Sequence, residues 1–348
     1  MKRMKQLSLA VLLSWGLSIV GCTNPDADSS SQANANNSTP VDVYVAGIKY
    51  AADLSPLNSQ AVYWKNGVRT ELTDGSTWAS ATRIFVVNND VYVLGRQNTA
   101  AGDQEARLWK NGVAQNFLPD LSLYVIDIEI TATDIHVITQ NSSGNNVYWK
   151  NGVEQVFIPN DAPVSFSAID VSGNDVYICG YNQNGGIAYW KNGISHPLTG
   201  ISTSINSENP NFKDIKVAGN DVYVIGQYPD THPDNSPGEP LVGVCWKNGQ
   251  PTVLGYYRYV ERVSVVGSDV YITGSYDNKA AYYKNGQLVN LATNSASLAS
   301  ITYGAFTKNG NVYISGSTFN PNQACYWING ILTSMDDGIA YDIVAVQH

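Results

Sequence analysis

The sequence predicts an all-β protein: a seven-bladed β-propeller with four antiparallel strands per blade, whose ring is closed by the C-terminal strand. Three observations support this prediction. Two short motifs each occur seven times and strictly alternate along the chain. They recur about every 44 residues, which is the spacing of propeller blades. The runs between turns are rich in Val, Ile and Tyr and too short for helices.

The first motif, Asp-Val-Tyr-Val-x-Gly, predicts the second strand (strand b) of each blade. Its copies begin at Asp42, Asp90, Asp134, Asp175, Asp221, Asp269 and Asn311. The second motif, Tyr-Trp-Lys-Asn-Gly, predicts strand c and a type I′ turn, because Asn-Gly accepts positive φ at both central positions. Its copies centre on Trp64, Trp109, Trp149, Trp190, Trp246, Tyr283 and Trp327. Strand d follows each Asn-Gly, and strand a precedes each first motif.

The predicted ring closure rests on the two ends of the propeller sequence. The repeats begin directly with strand b at Asp42, so blade 1 lacks a strand a of its own. Residues 341–346 have the strand-a pattern, and we expect them to complete blade 1. The paired motifs are similar to the YWKNG-type propeller repeats of uncharacterised bacterial lipoproteins. This resemblance covers nearly all of residues 41–348 and implies the fold but no activity.

The first forty residues predict export and a lipid anchor. Residues 1–5 are basic, and the apolar stretch 7–20 is shorter than the roughly 20 residues that span a bilayer. Gly21-Cys22 resembles the bacterial lipobox, which implies that Cys22 is lipidated; the alternative is an ordinary signal peptide with a chance cysteine. We therefore predict a signal peptide over 1–21, lipidated Cys22 with a flexible tether over 22–40, and a propeller over 41–348.

The amino-acid composition and the tether predict which partners the protein could bind and where in the cell it is located. Residues 23–40 contain no apolar residue larger than Ala, so they cannot form a core. Removing 1–21 takes away three cations and no acid, which lowers the net charge from −9 to −12. This charge excludes a nucleic-acid binder. We expect a monomeric propeller held on the cell envelope through its lipid. If the cell is Gram-negative, placement in the outer membrane is favoured, because Thr23 stands where Asp would resemble an inner-membrane retention signal.

The two ends of the predicted propeller differ. The a–b and c–d turns lie at one end, the bottom, and are short and uniform. The b–c and d–a connections lie at the other end, the top, and vary in length. Function concentrates in variable loops on a rigid scaffold, so we predict binding at the top. Because the tether enters strand b at the bottom, the top faces away from the membrane.

Aromatic residues outside the repeat positions fall near the top. Exposed Tyr and Trp mark interfaces, although these side chains could instead cap the core where strands end. With two channel arginines they form the predicted ligand-binding set: Tyr50, Trp78, Arg83, Tyr124, Tyr181, Tyr228, Tyr257, Arg262, Tyr276, Tyr303 and Tyr341. The expected ligand is a glycan, a peptide or another envelope protein.

Charged residues recur on strand a, which lines the channel. Seven residues before each first motif, with the matching position of blade 1 last, stand Arg83, Asp127, Ala168, Asp214, Arg262, Gly304 and Asp342. Inter-blade ion pairs are one explanation, and a polar-ligand or metal site is the other. The alternative function, a glycan hydrolase or lyase, would use Asp127, Glu129, Asp170 and Asp214 for acid–base chemistry. Pairing with Arg83, Lys216 or Arg262 would favour a binding module.

Other chemical signals are weak. No phosphate loop, nucleophile elbow or helical zinc motif is present, and we predict no cofactor. His232, between Asp230 and Asp234, is a possible metal ligand, but a solvated loop is the simpler interpretation, and no metal site is predicted. The cysteines at 179, 245 and 325 lie in predicted strands of different blades. We expect them to be small buried hydrophobic residues rather than a disulfide framework.

Overall fold

The computed structural model describes residues 40–50, 59–158, 164–182, 185–200, 211–229, 241–256, 258–276, 278–293, 299–319 and 322–347. These residues form 28 strands in seven four-stranded antiparallel sheets. The predicted seven-bladed propeller is confirmed. No helix among the described residues is long and apolar enough to cross a membrane.

The first four blades contain the following strands. Blade 1 has β1 (Val41–Lys49), β2 (Gln60–Lys65) and β3 (Val68–Glu71). Blade 2 has β4 (Ala79–Val87), β5 (Asp90–Asn98), β6 (Gln104–Lys110) and β7 (Val113–Gln115). Blade 3 has β8 (Tyr124–Ile130), β9 (Ile135–Gln140), β10 (Asn146–Lys150) and β11 (Val153–Gln155). Blade 4 has β12 (Ser165–Ser172), β13 (Asp175–Tyr181), β14 (Ile187–Lys191) and β15 (Ile194–Pro197).

The remaining strands complete the ring. Blade 5 has β16 (Asn211–Ala218), β17 (Asp221–Pro229), β18 (Leu241–Lys247) and β19 (Gln250–Tyr256). Blade 6 has β20 (Arg258–Val266), β21 (Asp269–Tyr276), β22 (Lys279–Lys284) and β23 (Gln287–Asn290). Blade 7 has β24 (Ala299–Lys308), β25 (Asn311–Phe319), β26 (Gln323–Ile328) and β27 (Ile331–Ser334). The last strand is β28 (Gly338–Gln347).

The last strand joins the first blade. β28 pairs antiparallel with β1 along its whole length, from Val41 opposite Gln347 to Lys49 opposite Gly338. Blade 1 is therefore built from both ends of the propeller sequence, as predicted. This pairing closes the ring with backbone hydrogen bonds instead of leaving β1 as an open sheet edge.

The two repeated motifs meet at the bottom of each blade. In blade 1, Asn66 accepts a hydrogen bond from the backbone N–H of Val43 (2.8 Å) and donates one to Asp42 (2.7 Å). Lys65 pairs with the same Asp42 carboxylate (2.7 Å) and lies over the ring of Tyr44. All seven Asn–Gly turns have positive φ at both residues, as predicted. The polar residues of the repeat thus hold the bottom turns together.

The aromatic residues of the second motif connect neighbouring blades. In three blades the indole N–H donates to the preceding blade: Trp64 to Asp336 (2.8 Å), Trp246 to the carbonyl of Thr199 (3.1 Å) and Trp327 to the carbonyl of Ala292 (2.6 Å). The three free cysteines of the described residues are buried among the strands, as expected. Blade–blade packing is therefore encoded within the repeat itself.

A β-bulge occurs in the innermost strand of every blade, at the same level. In blade 4 the register shifts between Phe166 and Ala168, opposite Gly180. A Cβ on Gly180 would lie 1.8 Å from the carbonyl oxygen of Ser165, so this position must be glycine. Most blades place the glycine of the first motif in the same way. The motif glycine is explained by the bulge beside it, which the sequence analysis did not predict.

Candidate functional site

The seven bulges shape the top of the central channel. Each adds one residue immediately before the charged strand-a position. Five of these added residues, with Arg262, line a cavity of about 200 Å³, here named the top pocket: Thr82, Lys213, Glu261, Arg262, Tyr303 and Tyr341. Bulges re-aim side chains beside functional sites, and here they direct side chains from five blades toward one pocket.

One side of the top pocket is aromatic. The rings of Tyr303 and Tyr341 meet edge to face with centroids 5.1 Å apart. Burial raises the pKa of Tyr341 to about 12, and repulsion from the nearby Tyr50 hydroxyl adds to this rise. Burial also raises the pKa of Tyr303. These phenols therefore stay neutral and act as hydrogen-bonding groups on an apolar surface.

The other side of the top pocket is charged. Lys213 Nζ lies 3.6 Å from Glu261 Oε1, and both side chains are about a quarter exposed. Arg262 lies 3.4 Å from Asp214, which is buried beneath the pocket. A ligand in the top pocket would thus meet aromatic rings on one side and cations with one carboxylate on the other.

Below the top pocket, the channel aspartates join consecutive blades. Each accepts a hydrogen bond from a backbone N–H of the following blade. The pairs are Asp342 with Ile84 (3.0 Å), Asp127 with Ile169 (3.1 Å), Asp170 with Val217 (2.6 Å) and Asp214 with Val263 (2.9 Å). These carboxylates satisfy inner-strand N–H groups that would otherwise be buried without a partner.

Three of the same aspartates also form ion pairs. Asp127 lies 3.3 Å from Arg83, Asp170 lies 2.5 Å from Lys216, and Asp214 lies 3.4 Å from Arg262. Burial by itself would lower the pKa of Arg83, but attraction to Asp127, Asp342 and Asp214 raises it overall. Pairing of this kind is the outcome that favours a binding module. The carboxylates act as structural acceptors rather than as a free acid–base pair.

Glu129 differs from the other candidate acids. Its side-chain carboxyl forms no hydrogen bond or ion pair with any described residue. Burial raises the pKa of Glu129 to about 8; attraction to Lys216 opposes this rise, and repulsion from Asp170 adds to it. Glu129 lines a second, larger cavity of about 460 Å³ in the channel. Its carboxyl therefore keeps its proton to a higher pH than that of an ordinary Glu, and in the protonated form it can both donate and accept a hydrogen bond.

The predicted ligand-binding residues separate into groups. Arg262, Tyr303 and Tyr341 line the top pocket, and Tyr50 lies near enough to influence both tyrosines. Arg83 lies in the larger cavity below. The structure therefore brings together four of the predicted residues and places the fifth directly beneath them.

The remaining members of the predicted set lie apart. Tyr181 and Tyr228 pack against the core formed by blades 4 and 5, so they cap it. Tyr124 is 54% exposed, with the guanidinium of Arg96 stacked 3.8 Å from its ring centre, and Tyr276 is 38% exposed. Trp78 is partly buried just before β4. Tyr257, Cys22 and His232, all named in the sequence analysis, fall outside the described residues.

Sequence reasoning missed Thr82, Lys213 and Glu261. These residues look unremarkable in the sequence, because strict strand alternation would turn them away from the channel. The glycine of the first motif was the available signal, since an isolated glycine in a strand indicates a bulge or a close backbone approach. Among the described residues, no group of three or more His, Cys, Asp or Glu side chains is arranged to hold a metal ion.

Fold and site together define a closed β-propeller with a pocket at the top of its channel. No protein-family model and no curated protein matches the chain. The computationally designed Ika8 protein aligns at 13% identity over 85% of this chain and 90% of its own, with a TM-score of 0.48. The β-propeller domain of the Trilobed protease from Pyrococcus furiosus aligns at 11% identity over 76% and 88%, with a TM-score of 0.49.

A third solved structure is longer than this chain. It is one of two prolyl endopeptidases analysed for their inter-domain dynamics, and it aligns at 13% identity with a TM-score of 0.47. The alignment covers 86% of this chain and 49% of the peptidase. The chain therefore spans about half the length of that enzyme.

Proposed function

We propose that this protein is an exported, lipid-anchored binding protein of the cell envelope, located in the outer membrane, that engages a glycan, a peptide or an envelope protein through its top face. The observation that supports the proposal is the top pocket. Its lining differs from blade to blade, and it combines the rings of Tyr303 and Tyr341 with Lys213 and Arg262. At about 200 Å³ it is smaller than the usual 300–1,000 Å³ ligand pocket. It would hold one terminal residue of a larger ligand.

The proposed orientation follows from where the propeller begins. β1 starts at Val41, opposite Gln347, at the bottom end of the channel. A lipid on Cys22 and a tether of 18 residues, with a reach of up to about 60 Å, would join the propeller at that end. The top pocket would then face away from the membrane, toward its ligand.

Binding is favoured over hydrolysis or lyase chemistry by the state of three of the four candidate acids. Asp127, Asp170 and Asp214 are each held by a backbone N–H and by a cation. A general acid or base must be able to exchange a proton with a substrate. Acids that already join two blades serve this purpose poorly.

The binding proposal is tested with the soluble domain, residues 41–348, on glycan and peptide arrays. We expect a hit that Lys213→Ala and Tyr341→Ala weaken by about tenfold or more, since each change removes a direct contact. Lys110→Ala is the matched control, because Lys110 pairs with Asp90 at the bottom. Hydrolysis of an arrayed glycan, or equal loss in the Lys110 variant, would contradict the proposal.

The anchoring proposal has a separate test. Cys22→Ser leaves the apolar signal intact but removes the thiol that would carry the lipid. We expect the wild-type chain in the outer-membrane fraction and the variant released into the soluble fraction, with no incorporation of labelled palmitate. Retention of Cys22→Ser in the membrane fraction would show that the chain is held there by something else.

A further inference from the structure

The larger channel cavity lies below the top pocket and shares only Arg262 with its lining. Its volume is about 460 Å³, within the range of small-molecule sites. It is lined by the lower halves of the innermost strands. The lining continues down to Lys308 and Gln347, both exposed next to the bottom turns. The cavity therefore opens at the bottom of the propeller, on the opposite side from the top pocket.

The channel cavity has two chemically different walls at one level. Five residues before each first motif, and at the matching position of β28, a side chain enters the channel. Blades 7, 1 and 2 supply Phe306, Val344 and Phe85 there. Blades 3, 4 and 5, on the facing side of the ring, supply Glu129, Asp170 and Lys216. An apolar wall with two aromatic rings thus faces a wall of hydrogen-bonding groups.

The polar wall has hydrogen-bonding capacity but almost no net charge at neutral pH. Lys216 and Asp170 compensate each other at 2.5 Å. Burial raises the pKa of the Glu129 carboxyl to about 8, which favours its neutral, protonated form. A cationic ligand would be repelled by Lys216 and Arg83, and an anionic one by Asp170. Desolvation costs a neutral ligand least in such a site.

We propose that the channel cavity binds a neutral, polyhydroxylated ring of monosaccharide size, which enters from the bottom. The C–H face of the ring would lie on Phe85 and Phe306, and its hydroxyl groups would bond with Glu129, Asp170 and Lys216. Aromatic faces and planar polar groups on opposite sides match a ring that is apolar on one face and polar at its edge. This site is separate from the top pocket and does not depend on the proposed function.

The ligand class is tested by calorimetric titration of the purified full chain. The neutral probes are glucose, galactose, mannose and N-acetylglucosamine, and the charged counterparts are glucuronate and glucosamine at pH about 6.5, where the amine is protonated. We expect at least one neutral sugar to bind and its charged counterpart to bind about tenfold more weakly or not at all. Failure of all four neutral sugars, or equal binding of the charged ones, would overturn the proposal.

The position of the ligand is tested with substitutions in both cavities. Phe85→Leu and Phe306→Leu keep apolar volume but remove a stacking ring, and each should weaken binding about two- to tenfold. Glu154→Gln, an exposed change in β11 outside both cavities, is the control and should leave sugar affinity unchanged. Loss of binding in Tyr341→Ala with none in Phe306→Leu would move the sugar to the top pocket and overturn the channel assignment.

The proposed contact with Glu129 is tested by the sugar affinity of Glu129 variants and by its dependence on pH. Glu129→Gln preserves a donor and an acceptor, so it should bind the sugar as tightly as the wild type at pH 6.5. Glu129→Leu should abolish binding. Above pH 8 the wild-type affinity should fall, because the ionised Glu129 faces Asp170 and Asp127 as well as Lys216 and Arg83. Glu129→Gln should lack this pH dependence; a dependence that persists in Glu129→Gln would count against the proposed contact.

Discussion

The bottom and top ends of the propeller come from the same repeat, yet they are built by opposite rules. At the bottom, six of the seven blades carry the same Lys–Asp pair next to the same Asn–Gly turn. At the top, the residues added by the bulges differ among blades: Thr82, Ile126, Ser167, Lys213, Glu261, Tyr303 and Tyr341. Positions that repeat hold the structure, and positions that vary are available for binding.

Blade 7 shows how tightly the bottom residues depend on one another. Asn311 stands where the other blades have Asp, and Ile328 stands where they have Lys. Both members of the ion pair are therefore absent together, and neither charge is left without its partner. The turn residue Asn329 still donates a hydrogen bond to Asn311 (2.7 Å) and accepts one from Val312 (2.9 Å). The hydrogen bonds of the turn, rather than the ion pair, are the constant element.

The largest loss of stability is expected from removing the strand that closes the ring, β28. Deleting residues 339–348 would expose the edge of β1 and the inner face of blade 1, so we expect loss of the cooperative thermal transition. The control deletes the same number of residues, 23–32, from the polar tether, and its unfolding temperature should match the wild type. A cooperative transition at an unchanged temperature after the C-terminal deletion would contradict the closure.

A smaller loss of stability is expected when the glycine beside a bulge is substituted. Gly180→Ala would place a Cβ 1.8 Å from the carbonyl oxygen of Ser165, whereas Gly173→Ala would meet open space in a turn with φ of 61°. We expect the first change to cost about 3 kcal/mol of unfolding free energy and the second about 1 kcal/mol. Urea denaturation of both variants measures the difference. Equal costs would mean that the bulge does not require its glycine.

The fold could be predicted from the sequence because its determinants are local and repeated. Asn66–Gly67 and the glycine-containing turns specify hairpins through φ alone. The alternation of the two motifs, represented in blade 1 by Asp42 and Trp64, recurs in every blade although the length between them varies. Only part of the top pocket could be predicted, because a bulge shifts side-chain direction by one residue and depends on how two strands approach each other. Arg262, Tyr303 and Tyr341 were predicted, whereas Lys213 and Glu261 were not. Tyr181 and Tyr228 were predicted as binding residues but pack on the core.

The channel and the bottom end of the propeller can be compared through one aspartate from each. Asp214 is buried, accepts from the backbone N–H of Val263 and pairs with Arg262, so Asp214→Ala removes the acceptor of one group and the ion-pair partner of the other. We expect a loss of about 3 kcal/mol of unfolding free energy. Asp175→Ala removes a solvent-exposed pair with Lys191, and its unfolding midpoint should change far less. A larger shift of the unfolding midpoint for Asp175→Ala than for Asp214→Ala would contradict the structural role assigned to the channel aspartate.

The smallest change in unfolding free energy is expected from substituting Glu129, whose pKa is raised by burial. Its pKa is raised from the usual 4.5 to about 8, so between these values the unfolded chain has released a proton that the folded protein keeps. The unfolding free energy should therefore fall as the pH rises from about 4.5 to 8. Glu129→Gln should match the wild type near pH 4 and exceed it by about 1–3 kcal/mol at pH 8. Urea midpoints at both pH values measure this, and Glu154→Gln, an exposed change in β11, is the control. If the advantage of Glu129→Gln stayed constant across that range, Glu129 would not be the protonated carboxyl on which the channel site depends.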